Sequence, residues 1–120
     1  RRVVLERGAA FGKAFEHFML MELRAYKSYH EVGYDINFWR TKSGLEVDFV
    51  LGGGEVSVEL IATARVDSRD LRPLNVFLDT YSPREAIVVC NEKEERIAGN
   101  IRIMPWQKFL RDLWNWKIIS

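Results

Sequence analysis

The strongest strand signal in the chain lies in Glu46-Val-Asp-Phe-Val-Leu-Gly-Gly-Gly-Glu-Val-Ser-Val-Glu-Leu-Ile61. Two runs of β-branched and apolar residues flank a glycine triplet, a pattern that predicts two strands joined by a turn. Each strand carries an acid, Asp48 or Glu59, among residues that favour burial. An ionised carboxylate taken out of water costs several kcal/mol unless a cation, a donor or water compensates. The two acids therefore indicate either a functional site or a solvated face.

The turn decides whether the two acids meet, because alternate residues of a strand share a face. A two-residue turn at Gly52-Gly53 makes Asp48 and Glu59 diagonal neighbours, about 7–8 Å apart at their backbones. Two carboxylates at that distance can hold one divalent ion, whereas a three-residue loop without a bulge separates them. The other interpretation is that the acids line the solvated face of the hairpin and pair with nearby cations, namely Arg40, Lys42 or Arg65.

Short apolar runs predict the remaining strands around this hairpin. The hairpin strands run over Leu45–Leu51 and Val56–Ile61, and Ile36–Trp39 precedes them in a three-stranded meander. A continuous apolar run, Ala86–Cys90, is typical of a strand buried on both faces. Ile101–Ile103 is expected to add an edge strand, and the charged stretch between these two runs is expected to be a solvated loop.

Helical spacing of apolar residues predicts three helices. The first runs from Ala9 to Ser28, and the last begins at Pro105. A second helix over residues 71–78 is expected to be capped by Asp67 or Ser68, with Pro73 in its first turn. The order α-β-β-β-α-β-(β)-α predicts an α/β domain, a mixed sheet flanked by helices.

Length and composition predict one soluble domain. The 120 residues are 48% hydrophobic and 29% charged, and no apolar run approaches the length of a membrane span. With 18 basic and 17 acidic residues, the net charge of +1 excludes a global attraction to nucleic acid. A single cysteine, Cys90, and the absence of a signal-peptide pattern predict the cytoplasm. Because the chain begins at Arg1 without methionine, we expect a fragment of a longer protein.

Four segments resemble one known family. They are Gly12-Lys-Ala-Phe-Glu-His-Phe-Met-Leu-Met-Glu-Leu23, Phe38-Trp-Arg-Thr-Lys-Ser-Gly-Leu-Glu-Val-Asp-Phe-Val50, Val58-Glu-Leu-Ile-Ala-Thr63 and Met104-Pro-Trp-Gln-Lys-Phe-Leu110. Together they look like the C-terminal domain, of unknown function, of prokaryotic AAA-type ATPases. That domain is similar to PD-(D/E)XK nucleases, which have the restriction-endonuclease-like fold. The resemblance implies one nuclease-like domain over residues 1–120.

The resemblance also implies a site. It makes Glu16 the helical acid, Asp48 the central metal-binding acid and Glu59 the acid of the Glu-X-Lys element. Mg²⁺, or Mn²⁺, would lie between these acids and the backbone carbonyl of Leu60, and a lysine would orient the attacking water. Such a site hydrolyses phosphodiesters in DNA. The implied partners are DNA and the ATPase domain of the same chain, and no nucleotide-binding motif lies in these residues.

The sequence departs from the family pattern at Ile61, where the family has the lysine. Loss of one preorganised charge stabiliser typically costs about 10²–10³ in rate. We therefore expect a degenerate nuclease-like module that binds nucleic acid or a protein. Two alternatives stay open: an active magnesium-dependent nuclease that uses Arg65 or Lys42, and a structural interaction module without metal. A homo-oligomer is also left open, because the last helix and its flank carry more tryptophan than they can bury, including Trp114 and Trp116.

Overall fold

A computed structural model describes residues 8–120 of the chain. The expectation drawn from Arg1 and its neighbours falls outside this range. The described elements follow the order α-β-β-β-α-β-β-β-α: α1 Gly8–Tyr29, β1 Ile36–Arg40, β2 Glu46–Leu51, β3 Val56–Ile61, α2 Arg72–Thr80, β4 Glu85–Cys90, β5 Arg96–Ala98, β6 Ile101–Pro105 and α3 Trp106–Trp114. The predicted α/β architecture, a mixed sheet flanked by helices, is confirmed.

The six strands form one sheet in the order β1-β2-β3-β4-β6-β5. The central strands β3, β4 and β6 are parallel, and antiparallel strands complete both sides. All six residues of β3 are buried, as expected for a strand covered on both faces. The strand predicted over Ile101–Ile103 is confirmed as part of β6, but its expected position at the edge of the sheet is wrong. β5, which begins at Arg96 at the end of the predicted charged loop, pairs with β6 and forms the edge instead.

Each face of the sheet carries its own apolar core. The α1/α3 core contains Met19 and Leu23 of α1, Val58 and Leu60 of β3, and Phe109 of α3. The α2 core is a second cluster, formed mainly by residues of β2, β3, β4, β6 and α2: Val47, Ile61, Leu74, Phe77, Val88 and Ile103. β3 supplies residues to both cores by simple alternation. This central strand therefore fixes the two layers of helices relative to the sheet.

The start of α2 differs from the prediction. Its N-cap residue is Leu71, which makes no side-chain capping bond, and Pro73 lies within the first two helical positions. Asp67 instead closes the preceding turn, because its carboxylate accepts hydrogen bonds from the backbone N–H groups of Arg69, at 3.0 Å, and Asp70, at 3.2 Å. These donors, led by that of Asp70, lower the pKa of Asp67. Proline placement was therefore predicted correctly and the cap was not.

The segment after α3 is anchored in the α1/α3 core. The Tyr26 hydroxyl donates to the carbonyl of Ile119 at 2.6 Å, and Arg84 donates to the carbonyl of Ile118 at 2.9 Å. Both isoleucines are buried. Within the described residues, every helix is too short or too polar to cross a membrane.

Candidate functional site

The turn between β2 and β3 has four residues, not two. Leu51 pairs with Val56, and the backbone N–H of Glu55 donates to the Leu51 carbonyl at 3.0 Å. The predicted register, in which Leu51 pairs with Gly54, is therefore wrong. Because the turn is longer by an even number of residues, the faces of the strands are preserved. Asp48 and Glu59 lie one step beyond the pair Phe49–Val58, directly across from each other instead of diagonally.

A β-bulge in β2 adjoins this position. Asn37 pairs with Val50 and Trp39 pairs with Val47, so the single residue between them on β1 faces both Asp48 and Phe49. A bulge bends its strand and re-aims a side chain. As a result Val47 joins the α2 core, while Phe49 joins the α1/α3 core. The strict alternation predicted for β2, which put Val47 and Phe49 on one face, is wrong here.

Each acid is held by the backbone of the opposite strand. The Asp48 backbone N–H donates to Glu59 Oε1 at 3.2 Å, and the Leu60 N–H donates to Asp48 Oδ2 at 2.8 Å. Both side chains are buried, with 5% of Asp48 and 6% of Glu59 exposed. A hydrogen bond to a carboxylate is stronger than one to a neutral carbonyl, so these bonds fix the carboxylate positions. The carboxylates thus replace carbonyls as acceptors where the β2–β3 ladder ends.

The backbone of Leu60 also faces this position. In an antiparallel pair, the N–H and C=O of one residue point to the same neighbouring strand. Since the Leu60 N–H donates to Asp48, its carbonyl lies on the β2 side as well. Two carboxylates and one carbonyl, all hard oxygen donors of the kind Mg²⁺ prefers, are therefore adjacent.

The acids open into a cleft between the first half of α1 and the hairpin of β1 and β2. It consists of two adjoining cavities of about 630 and about 500 Å³, which we call the acid cleft. Glu59 and Ile61 line the larger cavity and Asp48 the smaller one. Both cavities are lined by Lys13, Glu16, Arg40 and Glu46. The structure therefore brings all three sequence-predicted acids, Glu16 included, to one cleft.

Glu16 belongs to the lining of both cavities of the acid cleft. Among residues 8–120, no group of three or more His, Cys, Asp or Glu side chains is placed to hold a metal ion. The donors that backbone hydrogen bonds fix in place are Asp48 and Glu59, with the Leu60 carbonyl beside them.

Ile61 lies at the border between the acid cleft and the α2 core. Its side chain is 5% exposed and belongs to that core, while it also contributes to the wall of the larger cavity. Position 61 is therefore where a longer side chain could extend from the sheet toward Glu59. Isoleucine fills the apolar side of this border and supplies no charge.

The two cations suggested as replacements for the lysine do not line the cleft. β3 ends at Ile61, and Arg65 lines a different cavity together with Glu92 and Arg96. Lys42 is exposed in the turn between β1 and β2 and lines neither cavity of the acid cleft. Arg65 therefore lies outside β3 and is not carried toward the acids by that strand.

The cations that line the cleft are Lys13, Arg40 and Arg69. Arg40 is among the cations that the sequence suggested as partners for the acids, whereas Lys13 and Arg69 were not anticipated. Lys13 lies three residues before Glu16 on α1, a spacing that puts both on one helix face and could have indicated it. Arg40 Nη2 lies 3.5 Å from Glu46 Oε2. Arg69 comes from the turn before α2, which carries no local signal for this cleft. Only the folded chain brings it there.

The formal charge of the acid cleft is negative. Its two cavities together present three cations, Lys13, Arg40 and Arg69, and five acids. The acids are Glu16, Glu46, Asp48, Glu59 and Asp70. The difference, five less three, is an excess of two negative charges, equal and opposite to the charge of one divalent cation.

A family model described as "Domain of unknown function (DUF4143)" matches residues 11–109. The chain belongs to this family. The matched range contains the acid pair, the bulged strand and the first turn of α3, so the site lies wholly within the DUF4143 domain. Comparison with curated proteins and with solved structures gives no match.

Proposed function

We propose that the chain is a degenerate nuclease-like module that binds nucleic acid through a divalent cation at Asp48 and Glu59 and does not cleave it. The observation that carries this proposal is the buried pair of facing carboxylates beside Ile61. In the same proposal, the domain is related to PD-(D/E)XK nucleases and serves as the nucleic-acid-binding part of an AAA-type ATPase.

The charge of the cleft supports the requirement for a cation. A cleft with two excess negative charges repels a phosphodiester backbone, whereas a bound divalent ion neutralises it. Three cations then remain along the walls to contact phosphates: Lys13, Arg40 and Arg69. Nucleic-acid binding should therefore depend on the metal and weaken as salt rises.

The donor chemistry supports Mg²⁺ or Mn²⁺ as that ion. The residues that would hold it are Asp48, Glu59 and the Leu60 carbonyl, which are oxygen donors. When bound, such an ion polarises a phosphate oxygen and activates water. The protein's own contribution is to hold both carboxylates rigidly, through the backbone donors of Asp48 and Leu60, in a cleft with cationic walls.

The environment of Ile61 supports the absence of cleavage. A nuclease of this type needs a positive charge beside the metal to stabilise the pentavalent phosphate. At position 61 the chain instead supplies an apolar side chain packed in the α2 core. Ile61 thereby keeps the sheet packed while removing the donor on which turnover depends.

A second candidate function is an active nuclease with a relocated cation. The placement of Lys13 favours it, because this flexible, exposed lysine lines both cavities and approaches from α1. In this alternative Lys13 orients the attacking water, the role that the resemblance assigns to a lysine at position 61. Cleavage by the wild type that Lys13→Met abolishes would establish this second function in place of the first.

The proposal is tested by metal-dependent stability and binding. Mg²⁺ or Mn²⁺ that binds only the native state stabilises it by about 1.4 kcal/mol at ten times its Kd, which raises the melting temperature by several degrees. Labelled DNA, duplex and single-stranded, should bind with the metal, as measured by fluorescence anisotropy, and dissociate on chelation.

Two variants assign these effects to the acid pair. Asp48→Asn and Glu59→Gln keep the shape of each side chain and remove one ligand charge, so both should lose the metal-induced shift and the metal-dependent binding. The matched control is Asp79→Asn, which neutralises an exposed acid on α2. If wild-type stability does not respond to millimolar metal, the domain is a structural interaction module and the proposal is wrong.

A further inference from the structure

α1 is apolar on two sides. Its inner side buries Met19, Leu23 and Tyr26 completely in the α1/α3 core. Its other side carries a row of exposed apolar residues, spaced by four, three and four positions, which we call the outer stripe: Ala14, Phe18, Met21 and Ala25. That spacing is the seam by which one helix packs along another.

The outer stripe is unusual for a helix that covers a single core. A surface helix normally places charged or polar residues opposite its buried face. Here Phe18 is 41% exposed and Met21 39%, and neither they nor the two alanines are polar. Scattered exposed apolar residues need no explanation, but four consecutive seam positions form a continuous patch. Such a patch is typical of a surface on which another element packs.

We propose that the outer stripe pairs with the same stripe of a second copy of this chain, antiparallel and about a two-fold axis. The stripe has the self-complementarity that such an interface requires. Reversed, it has the same spacing and the same order of sizes: small, large, large, small. In the antiparallel register Phe18 meets Met21 of the other copy, and Ala14 meets Ala25. The alanine layers permit close approach of the helices, and the Phe–Met layers fill the space between them.

The flanks of the stripe make this interface apolar in character. His17 and Arg24 border it and are exposed. Across the two-fold axis, these side chains of the two copies carry no opposite charges that could form ion pairs. The attraction between the copies therefore comes from burial of apolar surface. The stripe covers eleven residue steps, about 16 Å of helix, and buries less than the roughly 1,600 Å² of a standard interface. The dimer is therefore weak, concentration-dependent and insensitive to salt.

The dimer leaves the acid cleft open. The residues that α1 contributes to the cleft are Gly12, Lys13, Glu16, His17 and Leu20. These lie on the flank of the helix between its core side and the outer stripe. His17 also borders the outer stripe, so the dimer reaches the rim of the cleft and leaves Asp48 and Glu59 accessible.

Sedimentation equilibrium of the whole 120-residue chain over a wide concentration range tests the proposal. The wild type should associate to a dimer. Phe18→Glu and Met21→Lys should each weaken the dimer at least about tenfold. The reason is that the two-fold symmetry then places two charges, one from each copy, in the apolar interface. Ile97→Glu is the matched control, since it adds the same charge to a residue that is 69% exposed on β5, away from α1.

The double variant Phe18→Glu/Met21→Lys tests the register. Antiparallel pairing sets each glutamate against a lysine of the other copy, so the dimer should return and should now weaken with salt. Thermal melting checks that Phe18→Glu still folds, because its ring contacts Trp106 at a centroid distance of 5.9 Å. Met21→Lys provides the same test without that contact. A wild type that stays monomeric, or a double variant that dimerises no better than the single ones, refutes the proposal.

Discussion

Ile61 is the residue at which stability and chemistry make opposite demands. A β-branched residue suits a buried strand, and Ile61 is part of the α2 core. A cation there would serve the facing carboxylates, but it would have to be desolvated among apolar neighbours. In the proposed function, the facing carboxylates next to an apolar residue at position 61 would allow binding without hydrolysis.

Ile61→Lys should restore cleavage at the expense of stability. Without metal, burying the charge lowers the free energy of unfolding by about 2–4 kcal/mol, as measured by urea denaturation. With Mg²⁺ and DNA, the cleavage rate should rise about 10²–10³-fold above that of the wild type. Ile61→Met is the control: it preserves volume, costs less than about 1.5 kcal/mol and adds no cleavage. Equal cleavage by wild type and Ile61→Lys would contradict the degenerate assignment.

At the scale of elements, the β2–β3 hairpin positions the acids through its turn and its bulge. The glycines of the turn all have positive φ, 66° at Gly52, 69° at Gly53 and 102° at Gly54, which L-residues adopt at a cost. This backbone gives the turn four residues and so sets Asp48 across from Glu59. The bulge then turns the Asp48 side chain out of the alternating pattern of β2.

Alanine substitutions in this turn should differ in cost. At Gly53 a Cβ meets nothing within 4 Å, so Gly53→Ala costs only the backbone term, about 1 kcal/mol. At Gly52 a Cβ would lie 2.9 Å from Ile119 Cδ1. Gly52→Ala should therefore cost about 2 kcal/mol, since a buried side chain must also move. Urea denaturation measures the loss of stability in both variants. Equal losses would show that the Ile119 side chain can move aside without a cost in free energy.

At the scale of the whole molecule, the sheet separates two cores, and its central strands β3 and β4 are the most completely buried. Cys90, at the end of β4, is completely buried, and its thiol donates to the Met104 carbonyl at an S–O distance of 3.5 Å. Burial raises the pKa of Cys90 to about 11. The thiol therefore acts as an inert packing group until the sheet opens.

This raised pKa predicts a loss of stability at high pH. Below about pH 9 the thiol is protonated in both the folded and the unfolded state. Its contribution to the free energy of unfolding is then fully present. As the pH rises toward 11, the unfolded chain loses this proton first. The free energy of unfolding should therefore decrease by up to about 3 kcal/mol. Burial also raises the pKa of Tyr26 and Tyr34, which adds in the same direction.

Cys90→Ala isolates the contribution of the thiol. The variant starts less stable because it leaves a small cavity, yet its stability should fall less steeply between about pH 9 and pH 11. The tyrosines, unchanged in both proteins, account for the decline that remains. Parallel curves for wild type and variant over this range would show that the thiol does not titrate differently in the folded state.

Local patterns in the sequence were enough to predict most elements. The periodicity of α1, the apolar run of β4 and the glycine triplet between β2 and β3 are properties of neighbouring residues, and all three elements were confirmed. The pairing of β5 with β6 was missed, because a strand of three residues carries too little local pattern. The cap of α2 was missed because Asp67 bonds within its own turn.

The acids of the site could be identified from the chain, but their arrangement could not. Asp48, Glu59 and Glu16 are visible as acids in apolar or helical surroundings, and the lack of charge at Ile61 is visible beside them. Their direct opposition depends on a four-residue turn, and a bulge forms beside them where β2 pairs with β1. The cations that line the cleft come from α1, β1 and the turn before α2, and long-range packing alone brings these separate segments to one place.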